Sequence, residues 1–301
     1  MINTHHHNHP HRSFAEAIMQ VQSTGKADFT MANGSVAKLT RTKLLQNYEA
    51  ILRMAGIEQI LGESIGLTPG AEALKVADAE LSQFADVPAY WIMPLGELIS
   101  RSRKLKSLPA DLLERVAKLK DIRDAVMHGE EAAFGKETRK AVRQTYEDLL
   151  KYGKHLPTHA LRARIEAVTQ AKADGYQAEE MLTTLGTLYR AIESEVEIRS
   201  AMKAAGVHKG VLPLVESIFE LKRASGAHQA IFARDNLAWK FRASALVRNH
   251  LVHGTIIVPT DRQTAVVHEA HRLLGQAIAE LSLKHNGGTT ATGEFRNNIN
   301  L

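Results

Sequence analysis

Apolar residues return every three or four positions along most of this chain, and that period admits few architectures other than packed helices. Leu44, Leu45, Tyr48, Ile51, Leu52 and Ala55 form the first clear run. Leu112, Val116, Leu119, Ile122 and Val126 form the next, opened by Ser107 and Pro109 and stopped by Gly129. Val142, Tyr146, Leu149 and Leu150 follow, closed by Gly153 and Pro157. Met181, Leu185, Leu188 and Ile192 predict a long helix from about 177 to 205, and Val211, Leu214, Val215, Ile218 and Leu221 predict another. Leu237, Phe241, Ala245 and Val252 share one face of a helix that Asp235 can cap and Gly254 ends. Val266, Ala270, Leu273, Ala277 and Leu281 make the last helix. Aromatic residues are only 5% of the chain, so the expected fold class is all-α. The best strand candidate is TIIVPT at 255–260, where Pro259 confines it to a short edge piece or an extended connection.

Length and punctuation divide the 301 residues into a flexible His-rich arm (1–35), two helical domains (36–157 and 176–285) and a flexible tail (286–301). The complete lack of cysteine excludes disulfides, Cys-ligated zinc, iron–sulfur clusters and thiol catalysis. No apolar run approaches the roughly 18 residues of a membrane span. The first residues lack a secretory apolar stretch, so the expected location is cytoplasmic. A net charge of +5 suits a polyanionic partner such as nucleic acid. His5, His6, His7, His9 and His11 could bind Zn²⁺ or Ni²⁺, but without a carboxylate framework they read as a passive tail, and no metal site is expected.

The two halves rhyme, each ending a helix at Gly and reopening after a short loop. The strongest correspondence sets Arg123, Asp124, His128 and Gly129 (RDAVMHG) against Arg248, Asn249, His253 and Gly254 (RNHLVHG). A third Arg-x4-His match, Arg223 to His228, has Ser225-Gly226 inside it and reads as an accident. Asp124 and His128 are four apart, as are Asn249 and His253, so the polar residue can hydrogen-bond the imidazole and fix its tautomer. A helix C-terminus favours protonated His, and Arg presents a fork that suits a phosphate. Two such sets facing each other would supply two proton-transfer groups and two phosphate clamps. That inventory fits RNA transesterification by the neighbouring 2′-OH, without metal or cofactor. For one motif alone, a helix-capping His beside a solvated Arg is the simpler explanation of the residues.

These two heptapeptides and their flanking helices, roughly 107–152 and 235–283, resemble the HEPN superfamily, whose signature is Arg, a polar residue, three more residues and His near a helix end. The resemblance implies two HEPN-like bundles packed as an intramolecular pseudo-dimer. It also implies a metal-independent endoribonuclease that leaves 2′,3′-cyclic phosphate and 5′-hydroxyl ends. Carried over, Arg123, His128, Arg248 and His253 are the catalytic set, with Asp124 and Asn249 in support. Phage defence or a toxin role is the implied setting, with an antitoxin or regulatory partner and room for a homo-oligomer. The Tyr that some HEPN toxins carry two residues after the motif His is replaced here by Glu130 and Thr255. No Walker-type or dinucleotide fingerprint occurs.

Arg101, Arg103, Lys104 and Lys118, with Lys106, Arg115 and Lys120, lead into the first motif and read either as an RNA track or as a solvated face. Trp91 and Trp239 sit among apolar neighbours and read as core anchors. The rival to catalysis is an inactive HEPN pair that binds RNA, nucleotide or protein, and a purely structural helical scaffold is a third reading.

Overall fold

The computed structural model describes residues 13–30, 34–67, 93–129, 133–152, 155–171, 175–204 and 232–287. The His-rich stretch, Trp91, the helix expected at 211–221, the Arg223–His228 match and the tail beyond 287 lie outside the described residues. The elements run in the order α1 (Phe14–Thr24), β1 (Lys26–Thr30), β2 (Val36–Thr40), α2 (Arg41–Ser64), α3 (Leu95–Leu105), α4 (Ala110–Met127), α5 (Lys136–Tyr152), α6 (His159–Gln170), α7 (Tyr176–Ala204), α8 (Leu237–Val252) and α9 (Asp261–Gly287). Helix dominates, as the periodicity requires, and no helix among the described residues is long and apolar enough to cross a membrane.

The long helices α2 and α7 organise the packing. Helix α2 touches α3, α5, α6, α7 and α8, whereas α7 carries α1, α8 and α9. From Asn47 to Leu61 every residue of α2 is buried, polar ones included, so this helix lies inside the fold instead of covering it. One apolar core runs from Phe14 through Ile51, Val116, Tyr146 and Leu185 to Val267, so residues on both sides of the expected linker share it. A smaller cluster, with Phe232, Phe241 and Leu274, fills the far end of α7, α8 and α9. The linker itself holds α6, which packs on α2 and buries Leu161 and Ile165.

Residues 13–30, expected to belong to a flexible arm, are instead built into this core. Phe14, Ala15, Ala17, Ile18 and Val21 are buried along one side of α1, against α7. Glu193 of α7 accepts hydrogen bonds from the backbone N–H groups of Phe14 and Ala15 and from Ser13 Oγ. It thereby satisfies free donors at the start of α1 from 179 residues away. The Phe14 ring meets Phe29 edge-on at 5.1 Å and Tyr189 at 4.5 Å. Gly25, at φ +81°, turns the chain into an antiparallel hairpin, with Lys26 opposite Thr40 and Thr30 opposite Val36. Among the described residues the class is therefore helical with one small β-hairpin, and its strands lie here, not at 255–260, which has no strand. At that segment Tyr48 Oη donates to the Ile257 carbonyl, an irregular connection over α2.

Asp235 does not cap α8. It sits in a 3₁₀ turn with φ +51°, and the helix opens without a side-chain cap. Asn47, buried in α2, donates to Tyr189 Oη of α7 at 2.9 Å and accepts from Phe134 N at 3.0 Å. It ties both central helices to the approach of α5. Because Phe14 fills the junction of α1, β1 and α7, Phe14→Ala should destabilise the fold by about 3–5 kcal/mol. Urea unfolding should show this as a lower midpoint, where loss of a detached arm would leave the midpoint unchanged.

Candidate active site

The two Arg-x4-His segments end their helices in the same way. His128 follows α4 with φ −105° and ψ 7°, and its N–H donates to the Asp124 carbonyl at 2.9 Å. His253 follows α8 with φ −91° and ψ 3°, and its N–H donates to the Asn249 carbonyl at 3.0 Å. Gly129 and Gly254 then take positive φ, +75° and +65°. Each also lies where a side chain has no room. A Cβ on Gly129 would overlap Val196 of α7 and lie 3.2 Å from Ile192. A Cβ on Gly254 would lie 3.1 Å from Ala55 of α2 and 3.0 Å from Leu161 of α6. The turn behind each motif is thus seated on the long helix of the other half of the chain.

That seating carries the histidines to two buried glutamates. His128 Nδ1 lies 2.8 Å from Glu195 Oε1 on α7. His253 Nδ1 bonds Glu58 Oε2 on α2 by a short contact. The same carboxylates hold the arginines of their own half. Arg123 Nη2 lies 2.7 Å from Glu58 Oε1, and Arg248 Nη2 lies 3.3 Å from Glu195 Oε2. Each glutamate therefore joins the Arg of its own half to the His of the other. The crossing makes two sets, Glu58 with Arg123 and His253 and Glu195 with Arg248 and His128; within the second, Arg248 Nη2 comes within 3.3 Å of His128 Nδ1, and the charges of Arg123 and Asp124 reach the Arg248 guanidinium. Arg199, one turn beyond Glu195, adds a second guanidinium to that carboxylate. Gln59 donates to the His253 carbonyl at 3.1 Å.

Burial would raise both glutamates, but the neighbouring cations overcome it. Arg123 and His253 hold Glu58 below its ordinary value. Hydrogen bonding from His128, with the charges of Arg248 and Arg199, does the same for Glu195. Both carboxylates are ionised at neutral pH, so each accepts a proton-bearing Nδ1 and leaves Nε2 for a substrate. The histidine side chains remain reachable, at 35% exposure for His128 and 16% for His253, above glutamates at 1% and 5%.

Asp124 and Asn249 do not touch the imidazoles. Asp124 Oδ1 accepts from Arg123 Nη1 at 2.9 Å, and Asn249 Oδ1 accepts from Arg248 Nη1 at 2.8 Å. Spacing of four permits the His contact, but the neighbouring guanidinium supplies a stronger, charge-assisted partner. Arg123 and Lys120 hold Asp124 below its ordinary value despite partial burial. Glu58 and Glu195, absent from the sequence-derived set, have one sequence signal: an acidic residue inside the apolar run of a long helix.

The basic run divides. Arg101 pairs with Glu97, Arg115 with Asp148 and Lys120 with Asp124. Arg103, Lys104, Lys106 and Lys118 are exposed and have no carboxylate partner among the described residues. Trp239 is partly buried against the core. Among the described residues no three His, Asp or Glu side chains gather to hold a metal ion. No protein-family model, curated protein or solved structure matches the chain.

Gly129→Ala should cost about 1–3 kcal/mol, because it meets both a disfavoured φ and Val196. Adding Val196→Ala should return part of that loss in thermal or urea unfolding. A pH effect is also expected from His250, buried beneath the second motif and bonded to Thr255, where burial and the nearby His253 push it down to about 4. It folds neutral, so its contribution is fully present above about pH 6.5 and is lost as pH falls towards 4, roughly 3 kcal/mol in all. Urea midpoints measured across that window should fall less steeply in His250→Gln than in the parent.

Proposed function

We propose that the chain is a metal-independent endoribonuclease of the HEPN kind, with its two HEPN-like halves packed as an intramolecular pseudo-dimer around one composite site. The observation that carries this reading is the crossed pairing, in which Glu58 holds Arg123 and His253 while Glu195 holds Arg248 and His128. An isolated helix-capping histidine has no need of an ionised, buried partner drawn from the other half.

The chemistry follows from the free ring nitrogens. One Nε2 removes the proton of a ribose 2′-OH, whose oxygen attacks the adjacent phosphorus. The P–O5′ bond breaks, and the protonated Nε2 of the other histidine supplies the 5′-oxygen with its proton. The products are a 2′,3′-cyclic phosphate and a 5′-hydroxyl. Around the imidazoles three guanidinium groups, Arg123, Arg248 and Arg199, face two carboxylates, Glu58 and Glu195, while Lys120 is answered by Asp124 and Asp121, so the arginines supply the cationic partners of a phosphodiester. Arg103, Lys104 and Lys118 extend the positive surface along α3 and α4, and RNA phosphates are its natural occupants. Unregulated RNA cleavage is toxic, which suits a toxin or phage-defence role with a regulatory partner.

One observation favours the rival, a module that binds RNA without cutting. Both motif arginines are almost buried and already committed to carboxylates, so neither presents an unencumbered phosphate fork. Incubation with RNA in EDTA separates the two. Cleavage should persist, leave cyclic phosphate ends and stop when a 2′-deoxy sugar is placed at the cut site. His128→Ala and His253→Ala should each slow it on the order of 10²–10⁴-fold, with the double change little worse than the slower single one. A folded double variant that cuts like the parent, or activity that requires Mg²⁺, would overturn the reading. RNA bound but left intact under all conditions would establish the binding module.

A further inference from the structure

The crossed site is not electrically symmetric. Resting on the ribonuclease reading, we infer that His128 is the general base and His253 the general acid, because their Nδ1 atoms face different sets of donors.

His128 Nδ1 has two neighbours, Glu195 Oε1 at 2.8 Å and Arg248 Nη2 at 3.3 Å. A guanidinium can only donate. A neutral His128 that gives its Nδ1 hydrogen to Glu195 leaves Nε2 bare, as a base requires. A second proton would add a positive charge beside the Arg248 guanidinium. Arg199 weakens the compensation further, because it lies 2.5 Å from the same Glu195 oxygen that His128 uses. Around His128, one carboxylate thus answers two guanidinium groups.

His253 lacks that conflict. Glu58 is its Nδ1 partner, and among the described residues no guanidinium makes a hydrogen bond to its ring. Glu58 is shared with a single arginine, Arg123, whose charge is further offset by Asp124. Lys120 pairs with Asp124 from the outer side, and His250 beneath the ring is held neutral by burial. An imidazolium at 253 therefore faces a carboxylate shared with one guanidinium, where one at 128 would face a carboxylate shared with two. The difference traces to two non-equivalent choices between the halves. Asp124 stands where the other motif has Asn249, and Arg199 stands four residues after Glu195, where Gly62 stands four residues after Glu58.

In the reaction, neutral His128 Nε2 takes the 2′-hydroxyl proton and the 2′-oxygen bonds to phosphorus. The P–O5′ bond then breaks, and the proton on His253 Nε2 passes to the departing 5′-oxygen. A general acid becomes dispensable when the leaving group needs no proton, whereas a general base does not. The test uses full-length parent, His128→Ala and His253→Ala proteins on two oligoribonucleotides, one ordinary and one with sulfur replacing the bridging 5′-oxygen at the cut site.

On ordinary RNA both variants should lose on the order of 10²–10⁴-fold. On the sulfur-bridged RNA, His253→Ala should return to within about tenfold of the parent while His128→Ala stays slow. Rescue of His128→Ala instead, or of both variants equally, would overturn the assignment. Ring-nitrogen NMR of the free parent protein at neutral pH gives an arm independent of turnover. It should report the stronger Nδ1–H hydrogen bond at 253, and a stronger one at 128 overturns the inference. If the parent cuts no RNA, the ribonuclease reading fails by itself, and the NMR result still decides the asymmetry between the two rings.

Discussion

Two ionised glutamates inside a helical core are the constraint on which the rest of this structure depends. A buried carboxylate costs several kcal/mol unless cations and hydrogen bonds surround it. Glu58 and Glu195 meet that demand only because each draws partners from both halves of the chain. Separating the halves would strand each carboxylate without its histidine and each histidine without its acceptor. The site and the contact between halves are therefore one feature, and the glycines behind the motifs belong to it. Gly129 and Gly254 let α4 and α8 end hard against α7 and α2, close enough for the imidazoles to reach the carboxylates.

The surrounding fold holds those two long helices in register. Asn47 links α2 to α7 and to the approach of α5. Glu193 fastens α1 to α7 two residues before Glu195, and Phe14 packs where α1, the hairpin and α7 meet. On α2, Glu49 gathers Arg53 and Arg143 and joins α5 to the helix that carries Glu58. Buried polar side chains are spent on fixing how helices sit, a task that apolar contacts perform with less directional precision. For the proposed proton transfer such placement matters, since an error of about 1 Å in the position of a base is costly.

The parts of the site answer one another across the two halves. A helix-end histidine is common, and so is an arginine one turn away. Less common is a pair of them, each histidine steered by an acid from the opposite half and each acid neutralised by the arginine of its own. The two halves are unequal, with Asp124 against Asn249 and Arg199 on one side only, and in the proposed reaction that inequality separates taking a proton from giving one.

What the sequence determined by itself is whatever local forces decide. The helices around Leu44–Leu61 and Met181–Ile192 follow from apolar spacing, and the ends of α4 and α8 follow from glycine's tolerance of positive φ. Matching Arg, His and Gly in both halves marked the site for the same reason. The tertiary structure decided the remainder. Helix α1 and its hairpin are short and mixed in pattern, and their burial depends on α7, more than a hundred residues away. Spacing could not choose between His and Arg as the partner of Asp124 and Asn249, since both lay in reach and the stronger donor prevailed. The glutamates were hidden for a related reason. Glu58 meets His253 across 195 residues and Glu195 meets His128 across 67. An acidic residue in an apolar helix face acquires meaning only when folding sets a cation against it.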